Sequence, residues 1–416
     1  MPPDRSVHIG HDAQGNVIVT GDGNRVYVFP GITALTAETI AALQSGRLDP
    51  ADLGGAVPLP TLTLRIGSVA ADGALWHLLP LRADTAGDAR EVPAPWAAAA
   101  FTAALTDFWE LSRRLLQDDA EGQRAAAAAR LLGDALTAVL TAEETALLMA
   151  AARDDGPPPL LVIESAEDLV LALPWELLRL EGRHAVEDGR LDIARSVPSA
   201  GAPELAPPTA PISLLLNVSA PAGSRLDYEA ESYYINRALQ DHVGLRVNEM
   251  GELDDLVQGL AEGPPPLGVH FSGHGGPGEL VFEDSLGDAD CVPVERMLSA
   301  IRRAAPERFP RFFYLACCHG GDPPHLGDGA RAGIASAAAR LHRDGVTQVV
   351  AYFGPVFDAQ STWAETAFYR ELARGRRTRD AVRAARAAMA RPFIPDALQA
   401  VRDAADSQAA GLTPYA

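Results

Sequence analysis

The chain has 416 residues, 47% of them hydrophobic, and a formal net charge of −20 from 55 acidic and 35 basic residues, every basic one an Arg. That acidity argues against nucleic acid as the main partner, because phosphate contacts need clustered cations, and no apolar run reaches the roughly 18 residues that span a membrane. Three Cys (Cys291, Cys317 and Cys318) make no disulfide framework, and Met1-Pro-Pro-Asp-Arg5 carries no apolar signal core, so a reducing cytoplasm is expected. The one dense basic run, Arg374–Arg379, reads as solvated charge at a helix boundary.

In chain order, residues 1–30 alternate short β runs with Gly-Asn and Asp-Gly-Asn turns, the signal of a β-hairpin segment. Residues 31–198 read as an α/β half. It holds a short helix at 33–49 with Thr36 as N-cap, strands Thr61–Ile66 and Ala74–Leu81, and Ala/Leu-rich helical stretches at 96–117 and 121–152. Short strands at Leu160–Ile163 and Asp168–Leu173 then run into Pro174-Trp-Glu-Leu-Leu178. Residues 199–211 are a Pro/Ala linker with no Arg and a single acid, Glu204.

From 212 to 390 strands alternate with helices of 10–15 residues, which implies a mostly parallel sheet covered on both faces. The strands are Ile212–Val218, Gly244–Asn248, Leu267–Phe271, Arg311–Ala316 and Gln348–Phe353, with a small hairpin arm at Glu279–Phe282. The helices are Tyr228–Gln240, Leu253–Ala261, Val294–Ala304, Ala330–Arg343, Asp358–Ala373 and Thr378–Ala390. The tail, 391–416, is polar and Pro-broken.

Two of these strands stop at a reactive side chain beside glycine. One is Leu267-Gly-Val-His-Phe-Ser-Gly-His-Gly-Gly276, the other Arg311-Phe-Phe-Tyr-Leu-Ala-Cys-Cys-His-Gly-Gly321. Open α/β sheets place their active crevice at the carboxyl ends of the strands. Neighbouring strands would bring His274 and Cys318 to one rim, the minimum for a thiol nucleophile and its base. Cys317, one residue earlier, alternates to the other face and reads as a packing cysteine. His270 lies within its strand and is expected to face the core. The N–H groups of Gly275 and Cys318 are candidate oxyanion donors.

A zinc site is the competing reading, since His270, His274, Cys317, Cys318, His319 and His325 are all ligand types. No CxxC pair exists, so no metal is expected. No GxxxxGK[ST] or GxGxxG opens a helix, so no phosphate-bearing cofactor is expected either.

The motifs His270-Phe-Ser-Gly-His-Gly275, Leu315-Ala-Cys-Cys318, Gly345–Asp358, Phe368–Gly375, Ala381–Arg386 and Leu173-Pro-Trp-Glu-Leu-Leu178 resemble, in order, those of CHAT-domain peptidases, caspase-fold cysteine proteases related to separase. The resemblance covers residues 57–390, most strongly 212–390. It implies a caspase-like, mostly parallel sheet flanked by helices, preceded by a degenerate half-domain. It also implies a His274–Cys318 dyad with Gly275 in the oxyanion hole. Ala316-Cys317 before the nucleophile and His319 after it differ from the family's usual residues, which keeps Cys317 in view as the alternative. In separases the acid of a similar Val-Thr-Asp motif lines the S1 pocket and pairs with the substrate's Arg. Asp358 stands in the matching place, although an Asp before a helical run is equally a good N-cap.

The Gly/Asn-rich leader resembles short motifs of bacterial conflict and signalling proteins, while an ordinary edge hairpin explains it equally well. The sequence therefore reads as a cytoplasmic cysteine endopeptidase that cleaves a specific protein partner, a defence or signalling effector. It is expected to be switched on by a partner at its N-terminal region rather than by cutting in the linker. A catalytically weak caspase-fold scaffold is the alternative.

Overall fold

The computed structural model describes residues 8–11, 17–21, 25–29, 61–68, 75–79, 81, 89–112, 119–152, 158–198, 212–224, 226–239, 243–276, 278–317, 336–352, 356 and 358–389. The expected helix at 33–49, the linker 199–211 and the tail 391–416 lie outside the described residues. The chain divides into two units, residues 1–61 and 62–416. In the first, β1 (His8–His11), β2 (Val17–Gly21) and β3 (Arg25–Phe29) form an antiparallel meander, as the Gly-Asn and Asp-Gly-Asn turns predict.

The second unit opens with strands β4 (Thr61–Ser68), β5 (Leu75–Leu79) and β6 (Arg90–Pro93), and helices α1 (Ala99–Ser112), α2 (Asp119–Thr137) and α3 (Ala142–Ala151). The helical stretch expected over 121–152 breaks at 138–141. Thr141 starts α3 with a reciprocal capping box, its hydroxyl accepting from Glu144 N–H while the Glu144 carboxylate accepts from Thr141 N–H. Next come β7 (Leu160–Glu164), α4 (Asp168–Ala172), the ribbon β8 (Arg179–Leu180) and β9 (Arg183–His184), and β10 (Asp192–Ser196). Asp168–Leu173 is thus a short helix and not the expected strand. Five apolar residues in a row, Leu169–Leu173, carry no period to separate the two, and Ser165 Oγ accepts from Glu167 N–H to turn the chain into a helix that Pro174 stops. The sheet order is β10-β7-β4-β5-β6.

The core of this half gathers round Trp76 and Trp175, both fully buried, with Trp96 edge-on to Trp76 at 4.9 Å. Trp175 Nε1 donates to Val170 O at 2.8 Å. Its neighbour Glu176 accepts both guanidinium arms of Arg195 at 2.7 Å. Burial alone would raise the Glu176 carboxyl, but Arg195, with Arg386 beyond it, holds it down at about 2. The ordinary value is 4.5, so this pairing stabilises the fold above pH 4.5 and is lost as pH falls toward 2. The expected contribution is about 2–3 kcal/mol. Acid unfolding of Glu176→Gln should lack this limb; identical acid profiles for variant and wild type would refute it.

Beyond the linker come β11 (Ile212–Val218), α5 (Tyr228–Leu239), β12 (Val243–Asn248), α6 (Leu253–Ala261), β13 (Gly268–Ser272), β14 (His274–Gly276), β15 (Glu279–Glu283), β16 (Ala289–Pro293) and α7 (Val294–Ala304). They are followed by β17 (Phe312–Ala316), α8 (Ala337–Arg343), β18 (Gln348–Ala351), α9 (Asp358–Ala373) and α10 (Thr378–Met389). The expected start of α8 at Ala330 lies outside the described residues; Ser336 caps the described helix, and Gly345, at φ +105°, turns the chain out of it toward β18.

The order β12-β11-β13-β17-β18 is parallel throughout, a caspase-like sheet with helices on both faces. Helices α6, α7 and α8 pack on Val269, Phe271, Phe313, Leu315 and Cys317; α5, α9 and α10 pack on Leu214, Phe312 and Tyr314. Gly268 lets β13 and β17 come this close, since a Cβ there would sit 2.4 Å from Phe312 O. The two sheet-bearing halves meet through ion pairs: Arg343 to Asp168 at 2.5 Å, Arg383 to Asp192, and Arg386 to Glu176 at 3.4 Å. No single described helix is long and apolar enough to cross a membrane.

Candidate active site

β13 and β17 are adjacent and parallel, with Ser272 opposite Ala316. Gly273 N–H donates to Ala316 O at 3.2 Å, tying the two strand ends together. The chain then turns at Gly273, where a Cβ would press on Ser219 O at 3.1 Å, and His274 opens β14. His274 is exposed, as a base that meets substrate must be. Its Nε2 lies 3.0 Å from Ser224 Oγ. Gly275, the expected oxyanion donor, is half-buried in β14 opposite Leu280.

Cys317 follows β17 directly, is 2% exposed and belongs to the apolar core under α6, α7 and α8. It occupies the packing position expected of it, on the opposite face from His270. Cys318 lies outside the described residues, as do His319 and His325. In sequence Cys318 stands two residues beyond Ala316, as His274 stands two beyond Ser272. Asp358 is the first residue of α9; its side chain lies outside the described residues.

His270 is fully buried, as expected, but within a polar network that the sequence reading missed. Its Nε2–H donates to Glu231 Oε1 at 2.8 Å, its Nδ1 lies 2.7 Å from the Tyr369 hydroxyl, and Tyr314 stacks on its ring at 5.0 Å. Ser272 Oγ donates to Glu231 Oε2, and Ser361 Oγ to Glu365. Burial would raise the Glu231 carboxyl, but hydrogen bonds and the charge of His270, with bonds from Glu365 and Ser272, bring it below its ordinary value. Burial pushes Tyr314, Tyr352 and Tyr369 well above the usual phenol range, with Glu365 adding to it, so they remain hydroxyl donors.

The legible signal for this network was a carboxylate inside an apolar stripe. Glu231 precedes Ile235 and Leu239 at helical spacing, and Glu365 lies between Ser361 and Phe368. Ligand atoms of Glu231, His270 and Glu365 lie within 4.8 Å of one another, the spacing of a loose metal triad. The direct bond from His270 to Glu231 makes this a hydrogen-bonded network instead. Of the zinc-ligand types in the sequence, His270 and Cys317 face opposite sides of the sheet and His274 is exposed, while Cys318, His319 and His325 lie outside the described residues.

No curated protein matches the chain. Residues 126–402, more than half of the chain, match the family model described as the CHAT domain. With a parallel sheet covered by helices and motifs in family order, the chain belongs to the CHAT-domain family, a caspase-like family.

Proposed function

We propose that the protein is a cysteine endopeptidase in which His274 and Cys318 form the catalytic dyad. What supports this reading is the pairing of β13 with β17 in a register where Ser272 opposes Ala316, each two residues short of a dyad member. His274 takes the thiol proton, and the thiolate attacks the scissile carbonyl. The N–H groups of Gly275 and Cys318 hold the tetrahedral oxyanion. His274 then protonates the leaving amine, and water hydrolyses the thioester. The substrate is a protein partner. The first unit, with its three-stranded meander, is the seat of an activating partner in a cytoplasmic defence or signalling response, and the half carrying Trp175 is a degenerate protease half. The test is a comparison of new protein N-termini in cells expressing the wild type or Cys318→Ala. Defined cleavage sites should appear only with the wild type; their absence under every inducing condition would favour a scaffold.

Asp358 is proposed to select the residue before the cut. It heads α9, the element that follows the edge strand β18 in the chain, and stands in the motif position that resembles the one pairing with a basic side chain in separases. A peptide library should show the wild type preferring P1 Arg or Lys. Asp358→Asn should lose about 10²–10³-fold on those substrates, the consequence of an unpaired cation in a closed pocket. An apolar P1 preference, or a basic preference retained in Asp358→Asn, would leave Asp358 as a helix cap alone.

A further inference from the structure

The network beneath β13 joins the strand end that precedes His274 to the helix whose entry loop meets the His274 ring. Glu231 lies on α5 and binds two residues of β13, His270 through Nε2 and Ser272 through Oγ. Ser272 is the last residue of its strand, two before His274. It is held again by Ser219 N–H, which donates to Ser272 O at 2.8 Å. On the other side, α5 is entered from the loop at 219–227, and Ser224 of that loop meets His274 Nε2 at 3.0 Å. That loop is anchored in turn: Ala220 N–H donates to Glu283 Oε1 and Ala222 N–H to Gly287 O, both at 2.8 Å. Glu231 therefore ties α5 to the strand that leads into His274, and α5 follows the loop that touches its ring.

We propose that Glu231 is the positioning residue of the dyad, setting the imidazole of His274 through Ser272 on β13 and through the α5 loop that bears Ser224. The inference rests on the dyad proposed above. The groups facing Glu231 are His270 and Ser272 from β13 and Glu365 from α9; Tyr369 and Tyr314 face His270. Glu231 accepts from His270 and Ser272 together, an arrangement that compensates a buried carboxylate. A Gln at this position keeps the shape. Its amide, however, carries no charge, so the charge-assisted bonds to His270 and Ser272 are replaced by weaker neutral ones and the tie between α5 and β13 loosens.

The test is the rate of alkylation of Cys318 by iodoacetamide across pH 5–9, read by peptide mapping in a Cys291→Ser background, since Cys291 is exposed. An assisted thiol reacts well below the pH of a free one, which ionises near about 8.5. Glu231→Gln is expected to lose this assistance, with alkylation at pH 6.5 falling about 10-fold toward the His274→Ala level. Ser272→Ala removes one hydroxyl and leaves the buried carboxylate. It is expected to show a partial loss of the same kind and decides the matter if Glu231→Gln does not fold. Folded variants with the wild-type profile, whatever their melting temperature, would overturn the positioning role and leave the dyad standing. A wild type that already matches His274→Ala would remove the dyad and this inference together.

Discussion

Cys318→Ala is expected to abolish cleavage, and His274→Ala to lower it by about 10²–10⁴-fold, the usual worth of a positioned general base. Cys317→Ala should leave turnover per folded molecule close to the wild type. Its sulfur is buried among Phe313, Leu315 and the helices α6, α7 and α8, so its loss acts on packing. The contrast between adjacent cysteines is the informative part. A strand sends neighbouring side chains to opposite faces, and only one face meets the side of the sheet on which His270 and Ser272 lie. Full activity in Cys318→Ala with loss in Cys317→Ala would move the nucleophile by one residue.

Trp175→Ala is expected to cost about 3–5 kcal/mol, the range for removing a large aromatic from a closed core. Trp175 is fully buried, lies 6.2 Å from Trp76 between ring centres, and spends its indole N–H on Val170 O. The adjacent Glu176 carries the pairing with Arg195 and Arg386, so the motif holds its own half and reaches α10 of the other. The change should appear as a lower urea midpoint at unchanged slope. A loss under about 1 kcal/mol would show that the site collapses freely and that the motif is not the centre of this core.

Much of the fold was legible because buried parallel strands are nearly continuous apolar runs. Leu267–Phe271 and Arg311–Ala316 were placed within a residue of β13 and β17, and α6 was placed at its observed bounds. β10 was missed because Asp192 and Arg195 interrupt its apolar pattern. Their charges are met by partners distant in sequence, Arg383 for Asp192 and Glu176 for Arg195. β14 and β16 were missed because three residues of His-Gly-Gly and an Ala-Asp-Cys-Val-Pro run look like loops until β15 pairs with both. At the site, the place of His274 and Gly275 just beyond β13 was readable from the motif. The contacts of Ser224 and Glu231 were not, since they form only when α5 and its loop fold onto β13.

His274 is expected to activate Cys318. The pH dependence of Cys318 alkylation in the wild type and in His274→Ala tests it without knowledge of the natural substrate. The wild type should react at pH 6–7 nearly as fast as at pH 9, while His274→Ala should follow a free thiol with a midpoint near about 8.5. Superimposable profiles, or modification at Cys317 instead of Cys318, would contradict it.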